Sequence, residues 1–298
     1  MPMSLSPITH TDEVVHIKDL ETAKIIKLYQ RDFSMDVKPE LGHMPKIGIY
    51  QCKKSLLRFY ENYTEIAGKD AFYCQLARQY PAYYSEEKWE FNAILPFLNP
   101  SMEILEIGAG HGYFLQKLKG LGFSKLTGLE ISSDAVEACR AKGFDMIQSP
   151  IEELTGDRSF DAICSFQIFE HLPNVDAALR KSIDALRPGG IMSIAVPNNH
   201  SLLFALEPYH TLNLPPHHVM LWDEISLRKI ADLYGLELVD ILKSEASVSE
   251  KSRIYKAQLT GIFGSFFASI LHPLTRFMAK KWMGNRYGAC IIALYRKK

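Results

Sequence analysis

The stretch from Ile104 to Gly112, read as Ile-Leu-Glu-Ile-Gly-Ala-Gly-His-Gly, constrains the fold of this chain more than any other. A short apolar run ended by glycines suits a buried parallel strand. Residues 113–121 then carry apolar side chains at helical spacing, so the glycines form a turn between strand and helix. Glycine is needed where a ligand must approach the backbone with no Cβ in the way. In an open α/β sheet, ligands settle outside the carboxyl ends of the strands, near the point where strand order reverses. A nucleoside-containing cofactor is therefore expected at Gly108, Ala109, Gly110 and Gly112.

The alternation continues through residues 86–243. Segments 125–130, 144–148, 160–165, 191–196 and 236–242 read as strands. Ser133 is the expected N-cap of a helix to about residue 142. Residues 175–186 form an amphipathic helix stopped by Arg187-Pro188-Gly189-Gly190, and 224–234 form another stopped by Gly235. Strands regularly separated by helices imply a parallel sheet with right-handed crossovers, a doubly wound α/β fold. Residues 289–295 supply one further strand.

The spacing of the turn bears on the cofactor. The dinucleotide fingerprint is GxGxxG, with the pyrophosphate on the helix N-terminus. Here the spacing is GxGxG, and Tyr113 stands where the third fingerprint glycine would be. Glu106, two positions before the first glycine, would repel a pyrophosphate but could hold the amino group of a methionyl moiety. Glu130 ends the next strand about 20 residues on, where an acid accepts ribose hydroxyls. Two acids around a short-spaced glycine turn favour S-adenosylmethionine over NAD, and an NAD-dependent oxidoreductase is the weaker alternative.

The segment ILEIGAGHGYF resembles the first motif of the class I S-adenosylmethionine-dependent methyltransferases. LTGLEIS, FDAICSFQIFEHL and LRPGG follow in the family's order, so the resemblance covers about residues 86–243 and the last strand. It implies a Rossmann-like, seven-stranded, mostly parallel sheet whose last strand runs antiparallel. It further implies that Glu106, Gly108, Ala109 and Gly110 line the methionine part of the cofactor and that Glu130 binds the ribose. Ile131 and Ile151 would pack on the adenine. Many relatives place an Asp after the third strand, whereas this chain has Ser149-Pro150.

Methyl transfer from a sulfonium is mainly a positioning problem, but an oxygen or nitrogen acceptor that carries a proton also needs a base. Gln167, Glu170 and His171 follow the fourth strand of the cofactor domain, beside the expected methyl group. They resemble the ExxEH metal-linked cluster of ubiquinone-biosynthesis O-methyltransferases, with Gln167 in place of the first Glu. That replacement removes an anionic ligand, so no metal is expected, and Gln167 is placed with the cofactor. Hydrogen bonding that merely fastens the turn competes with a catalytic role for His171. Residues 197–222 hold His200, His210, His217 and His218 without clear secondary structure, the pattern of a lid or binding loop. His218 is the second candidate base, against the alternative of histidines solvated on a surface loop.

The remaining sequence narrows the class. Lys+Arg and Asp+Glu are both 34, so the chain offers no net field for a polyanion, and no nucleic-acid partner is expected. Five scattered cysteines without a CxxC pair indicate neither a disulfide framework nor an intact zinc site, in keeping with a reducing, cytoplasmic setting. The start of the chain, with Asp12 and Glu13 before any apolar run, does not read as a secretory signal. Residues 1–85 are expected to be an N-terminal extension. In it Cys52 with Ser55 resembles the remnant of a cysteine-rich knuckle, and Tyr83-Tyr84 with Trp89 could cover the cofactor. Residues 86–298 would be the cofactor domain, with a lid at 197–222 and an insertion at 244–287. Residues 259–275 lack charge but are shorter than the ~20 residues of a spanning helix. For 259–286, an acceptor pocket, a homodimer contact and peripheral contact with a membrane surface stay open. The expected activity is methylation of a small or lipid-linked molecule at oxygen, with a non-catalytic methyltransferase-like scaffold as the rival.

Overall fold

The computed structural model describes residues 4–80, 85–155, 158–270 and 287–298, with only the main chain for 261–270 and 287. The chain opens with β1 (Val14–Glu21), α1 (Thr22–Phe33), α2 (Lys38–Leu41), β2 (Lys46–Cys52) and β3 (Arg58–Tyr60). The helices α3 (Tyr63–Ile66), α4 (Asp70–Gln79) and α5 (Trp89–Ile94) lead into the second sheet. β1, β2 and β3 pair antiparallel, and in the hairpin between the last two Ser55 N–H donates to Cys52 Sγ (3.4 Å). The cysteine of the expected knuckle thus caps a turn from within.

The cofactor domain runs β4 (Ile104–Ile107), α6 (Tyr113–Gly120), β5 (Leu126–Glu130), α7 (Ser133–Ala141), β6 (Asp145–Gln148), β7 (Phe160–Phe166), α8 (Val175–Asp184) and β8 (Leu186–Pro197). α9 (Leu202–Leu206), β9 (Met220–Leu221), α10 (Glu224–Tyr234), β10 (Glu237–Glu245), α11 (Val248–Ile270) and β11 (Tyr287–Arg296) complete it. The seven-stranded sheet has the order β6-β5-β4-β7-β8-β11-β10, and β11 is antiparallel to both of its neighbours. The chain steps outward from β4 to β6, then returns to β7 on the other side of β4. The strand order therefore reverses between β4 and β7, which places the ligand crevice where their loops leave the sheet.

Side chains alternate across a strand, and β4 buries all four of its residues because both faces are covered. Ile104 shares a core with Phe114, Leu115 and Leu118 of α6. Leu105 and Ile107 belong to a second core with Val175 and Leu179 of α8, continuous with Ile25, Phe59 and Trp222. The N-terminal sheet and the cofactor domain therefore share one apolar interior. They also share a strand, since β9 pairs with β3 as the fourth member of the small sheet.

Several expectations shift by a residue or more. Ser132 rather than Ser133 caps α7, its hydroxyl accepting from Ala135 N–H (3.5 Å). The Arg187–Gly190 turn is an excursion within β8, with Leu186 opposite Phe160 and Ile191 opposite Ala162. The 197–222 connection, expected without secondary structure, contains α9, a 3-10 turn at Thr211–Asn213, and β9. Tyr83, Tyr84, the Gly156-Asp157 turn and residues 271–286 lie outside the described residues. No helix among the described residues is long and apolar enough to cross a membrane.

Candidate active site

The turn after β4 is shaped by glycine. Gly108, Gly110 and Gly112 have φ of 71°, 50° and 73°, a left-handed region that other residues enter at a cost. At Gly108 an added Cβ would also fall 2.2 Å from Ile168 Cδ1, so the loop after β7 lies directly against this turn. Gly108 and Ala109 N–H both donate to Leu129 O (2.8 and 3.1 Å), pinning the turn to the tip of β5.

Glu130 completes the clamp. Its Oε2 accepts from Gly110 N–H (2.8 Å), and its Oε1 accepts from Ile131 and Ser132 N–H (2.8 and 3.0 Å). A carboxylate offers about four acceptor positions, so three main-chain donors fix its orientation and leave room for a ribose hydroxyl. Glu106 is the opposite case. It is 3% exposed, its Oε2 has no partner among the described residues, and burial pushes its carboxyl well above the usual range. Lys88 pulls the other way and Glu130 adds to the rise. An unsatisfied buried carboxyl beside a glycine cradle calls for a cationic donor, and the amino group of a methionyl moiety is one.

The adenine side is less open than expected. Ile131 is 50% exposed just past the end of β5 and can cover an aromatic base. Ile151 is 2% exposed and belongs to the core that contains Leu154, Val175 and Leu179, so its side chain is already spent on packing. Gln167 is also committed. It sits at φ 59°, and its amide donates to Glu90 Oε1 (2.9 Å) and Cys290 Sγ (3.2 Å). Neither Glu90 nor Cys290 could be picked out in the sequence, because Cys290 arrives through the antiparallel pairing of β11 with β8 and Glu90 through the placement of α5.

The second half of the site is assembled by main-chain bonds. Val219 and Met220 N–H both donate to Glu170 O (2.9 and 3.0 Å), stitching the connection after β8 onto the loop after β7. That brings His171, His217 and His218 together, with ring centroids 4.3 to 4.9 Å apart. They are not solvated histidines of a surface loop, since His217 and His218 are 5% and 6% exposed. Burial drives His171 down to about 4 and lowers His217 and His218 well below the usual value. All three are neutral near pH 7.

Their tautomers follow from their partners. His171 Nδ1 lies 2.6 Å from His217 O, and His217 Nδ1 lies 2.8 Å from Leu212 O. His218 Nδ1 lies 3.1 Å from Asn213 Oδ1, whose amide is oriented by donating to Asn199 Oδ1 (2.7 Å). A carbonyl oxygen can only accept, so each Nδ1 carries the hydrogen. In His171 and His218, Nε2 is then a lone pair, at 3.9 and 4.0 Å from Glu170 Oε1. Glu170 is fully buried, neither carboxyl oxygen has a partner among the described residues, and burial pushes it up to about 8. Lys88 acts electrostatically on Glu106, Glu170 and His171 alike, so cradle and histidine corner share a neighbour.

Comparison with known proteins fits this geometry. Residues 76–241 match the family model of a methyltransferase domain, more than half of the chain. The chain is 26% identical over 137 residues to a ubiquinone biosynthesis O-methyltransferase of Paramagnetospirillum magneticum, covering 44% of this chain and 53% of that one. It is 24% identical over 156 residues to the mitochondrial ubiquinone biosynthesis O-methyltransferase of Dictyostelium discoideum, covering 45% and 48%. The chain thus spans about half the length of the curated relatives it matches. Among solved structures, a SAM-dependent methyltransferase from Archaeoglobus fulgidus superposes with a TM-score of 0.54 at 18% identity, covering 76% of this chain and all of that one. The chain belongs to the methyltransferase-domain family, and its fold is that of the class I S-adenosylmethionine-dependent methyltransferases. Its cofactor is S-adenosylmethionine, which the orphaned Glu106 oxygen and the glycine turn fit, and the dinucleotide alternative is set aside.

Proposed function

We propose that the enzyme transfers a methyl group to a hydroxyl oxygen of a small or lipid-linked acceptor seated at the corner of Glu170, His171 and His218. The observation that carries this reading is the convergence of two Nε2 acceptors there, with both Nδ1 hydrogens already committed elsewhere. A hydroxyl offers those nitrogens a donor.

When bound, S-adenosylmethionine supplies an electrophilic methyl on a positively charged sulfur, which an oxygen displaces in line. The chain's own part is mostly positioning. Ile168, lodged against Gly108, couples the histidine corner to the cofactor turn. His171 and His218, kept neutral by burial, accept the hydroxyl hydrogen and aim the oxygen lone pair. Asn213 holds His218 in the tautomer that this requires.

The relatives named above are O-methyltransferases of ubiquinone biosynthesis, which supports oxygen as the methylated atom and a lipid-linked molecule as the substrate class. The equal numbers of basic and acidic residues favour a small acceptor over nucleic acid. The test is mass spectrometry of products formed with isotopically labelled cofactor over a panel of phenols, catechols, amines and carboxylic acids. O-methyl ethers are expected, formed on the order of a hundredfold more slowly by His171→Gln and His218→Gln. Methylation at nitrogen or carbon only, or unchanged rates in both variants, would refute the proposal.

A further inference from the structure

We propose that the cleft between α1, residues 207–211 and α11 binds a phosphate-bearing small molecule. The cleft has a volume of about 470 Å³, within the range of sites for small organic ligands. Two helix faces wall it. On α1, Lys24 and Arg31 stand seven residues apart, two turns along one face. On α11, Arg253 and Lys256 stand three residues apart and also share a face. Tyr209 and Thr211, from the connection after β8, form the third side. None of the lining residues belongs to the cofactor turn or to the histidine corner.

The charges in the cleft are uneven. Its carboxylates, Asp32 and Glu207, are both occupied. Asp32 accepts from Arg31 Nε and Nη2 (2.6 and 2.9 Å) and from the Thr211 hydroxyl (2.5 Å). Glu207 accepts from the Arg253 guanidinium, whose Nη1 donates to His210 Nε2 (2.8 Å) and is aimed by that bond. Lys24 and Lys256 are left over. Neither ammonium has a carboxylate partner among the described residues, and Lys24 Nζ lies 3.7 Å above the Tyr209 ring. Lys24 also occupies the first turn of α1, which has no acidic residue, so it adds to the positive end of the helix dipole. A carboxylate would answer one of the two spare cations. A phosphate monoester carries about −1.5 to −2 near pH 7 and brings three acceptor oxygens, which matches both.

The cleft borders the segment that holds the histidine corner. Thr211 bonds to Asp32 in the cleft, whereas Leu212 O accepts from His217 Nδ1 and Asn213 Oδ1 accepts from His218 Nδ1. Three successive residues thus join the two places. An anion in the cleft competes with Asp32 for Arg31, and the Asp32–Thr211 bond carries that competition towards Asn213. Two sources would supply the phosphoryl group. It belongs either to the acceptor, whose hydroxyl then lies at the corner, or to a separate effector that biases the corner. The first deepens the acceptor reading and rests on it, but binding in the cleft does not.

The test titrates the full chain, shown folded by circular dichroism, with phenyl phosphate in a phosphate-free buffer and reads the heat. One equivalent bound at submillimolar affinity, weakening as salt rises, is the expected result, with no heat from phenol. Lys24→Ala and Lys256→Ala should each weaken binding about fivefold, the upper end for exposed charges. Lys24→Glu combined with Lys256→Glu should abolish it, and neither change removes a carboxylate's partner. Methylation assays then separate the sources. If the phosphate is the acceptor's, para-hydroxyphenyl phosphate has a lower KM than hydroquinone, and inorganic phosphate competes with it. If it is an effector's, phenyl phosphate changes kcat for hydroquinone without competing with it. Folded wild type that binds no phenyl phosphate at millimolar concentration, or a doubly reversed variant that binds it as tightly, would overturn the site. The heat is read without methyl transfer, so failure of the acceptor reading leaves binding in the cleft intact.

Discussion

Replacing Glu106 by glutamine removes a carboxyl that the fold buries without satisfying it. The side chain is 3% exposed, Oε2 lacks a partner among the described residues, and burial is the largest influence on its ionisation. An unsatisfied buried polar group costs about 1–3 kcal/mol, more if charged. The isosteric Glu106→Gln should therefore leave the cofactor-free protein as stable or more stable by about 1–2 kcal/mol, since glutamine cannot ionise in the buried site. For a chain of this size that corresponds to a rise of roughly 2–3 °C in Tm. Cofactor binding should move the other way. A hydrogen bond between charged partners is worth about 1.5–3 kcal/mol, so S-adenosylhomocysteine, which keeps the methionyl amino group, should bind roughly 10- to 150-fold more weakly. Differential scanning calorimetry without ligand and titration calorimetry with it read the two effects separately. A variant that melts several degrees lower and binds the ligand as tightly as wild type would refute the reasoning, because Glu106 would then be a structural group only.

Gly108→Ala places a Cβ 2.2 Å from Ile168 Cδ1 at φ 71°, so it should cost about 1–2 kcal/mol from backbone strain and further binding affinity as the turn shifts. Adding Ile168→Ala in the same chain should recover part of the lost affinity, and a titration showing no recovery would count against the contact. Asp176 is a test of pH dependence. Burial alone would raise its pKa, but hydrogen bonds from the Tyr234 hydroxyl (2.5 Å), Arg180 and His10 outweigh it, and the folded value lies below the usual one. The stability it contributes is therefore present above the unfolded pKa of about 3.9 and is lost as pH falls through the lower folded value. Urea unfolding should show Asp176→Asn less stable by about 1–3 kcal/mol at pH 7, with the difference shrinking towards pH 3. Trp222 is fully buried and donates its indole N–H to Phe169 O (3.1 Å), so Trp222→Ala should cost about 3–5 kcal/mol in the same assay.

Local chemistry made most of the cofactor domain legible. The helix Glu224–Tyr234 and its Gly235 stop are as expected, with Gly235 at φ 68°, because propensity and glycine's freedom act within a few residues. The cap of α7 moved by one position because two adjacent serines offer the same hydroxyl. β10 runs three residues past the expected end because Glu245 pairs with Tyr287, an alignment set across the sheet. β9 is two residues long and exists only through its pairing with β3, so nothing local announces it.

The site divides in the same way. Glu106, the three glycines and Glu130 lie next to strand ends, so their spacing in the sequence already groups them at one turn. Ile151 and Gln167 enter through resemblance, and in the fold Ile151 packs in the core while Gln167 bonds to Glu90 and Cys290. His171 and His218 stand out individually in the sequence. Their meeting, and the part of Asn213 in orienting one of them, depends on Glu170 O accepting two hydrogens from the later connection. No sequence period records such a bond.

Titration calorimetry of the unmodified enzyme with S-adenosylhomocysteine and, separately, with NAD is the most direct test of the Gly108–Gly112 turn as the cofactor site. One S-adenosylhomocysteine per chain at micromolar affinity, with no heat from NAD, is the predicted result. A folded chain that binds no S-adenosylhomocysteine at millimolar concentration, or that binds NAD instead, would contradict it.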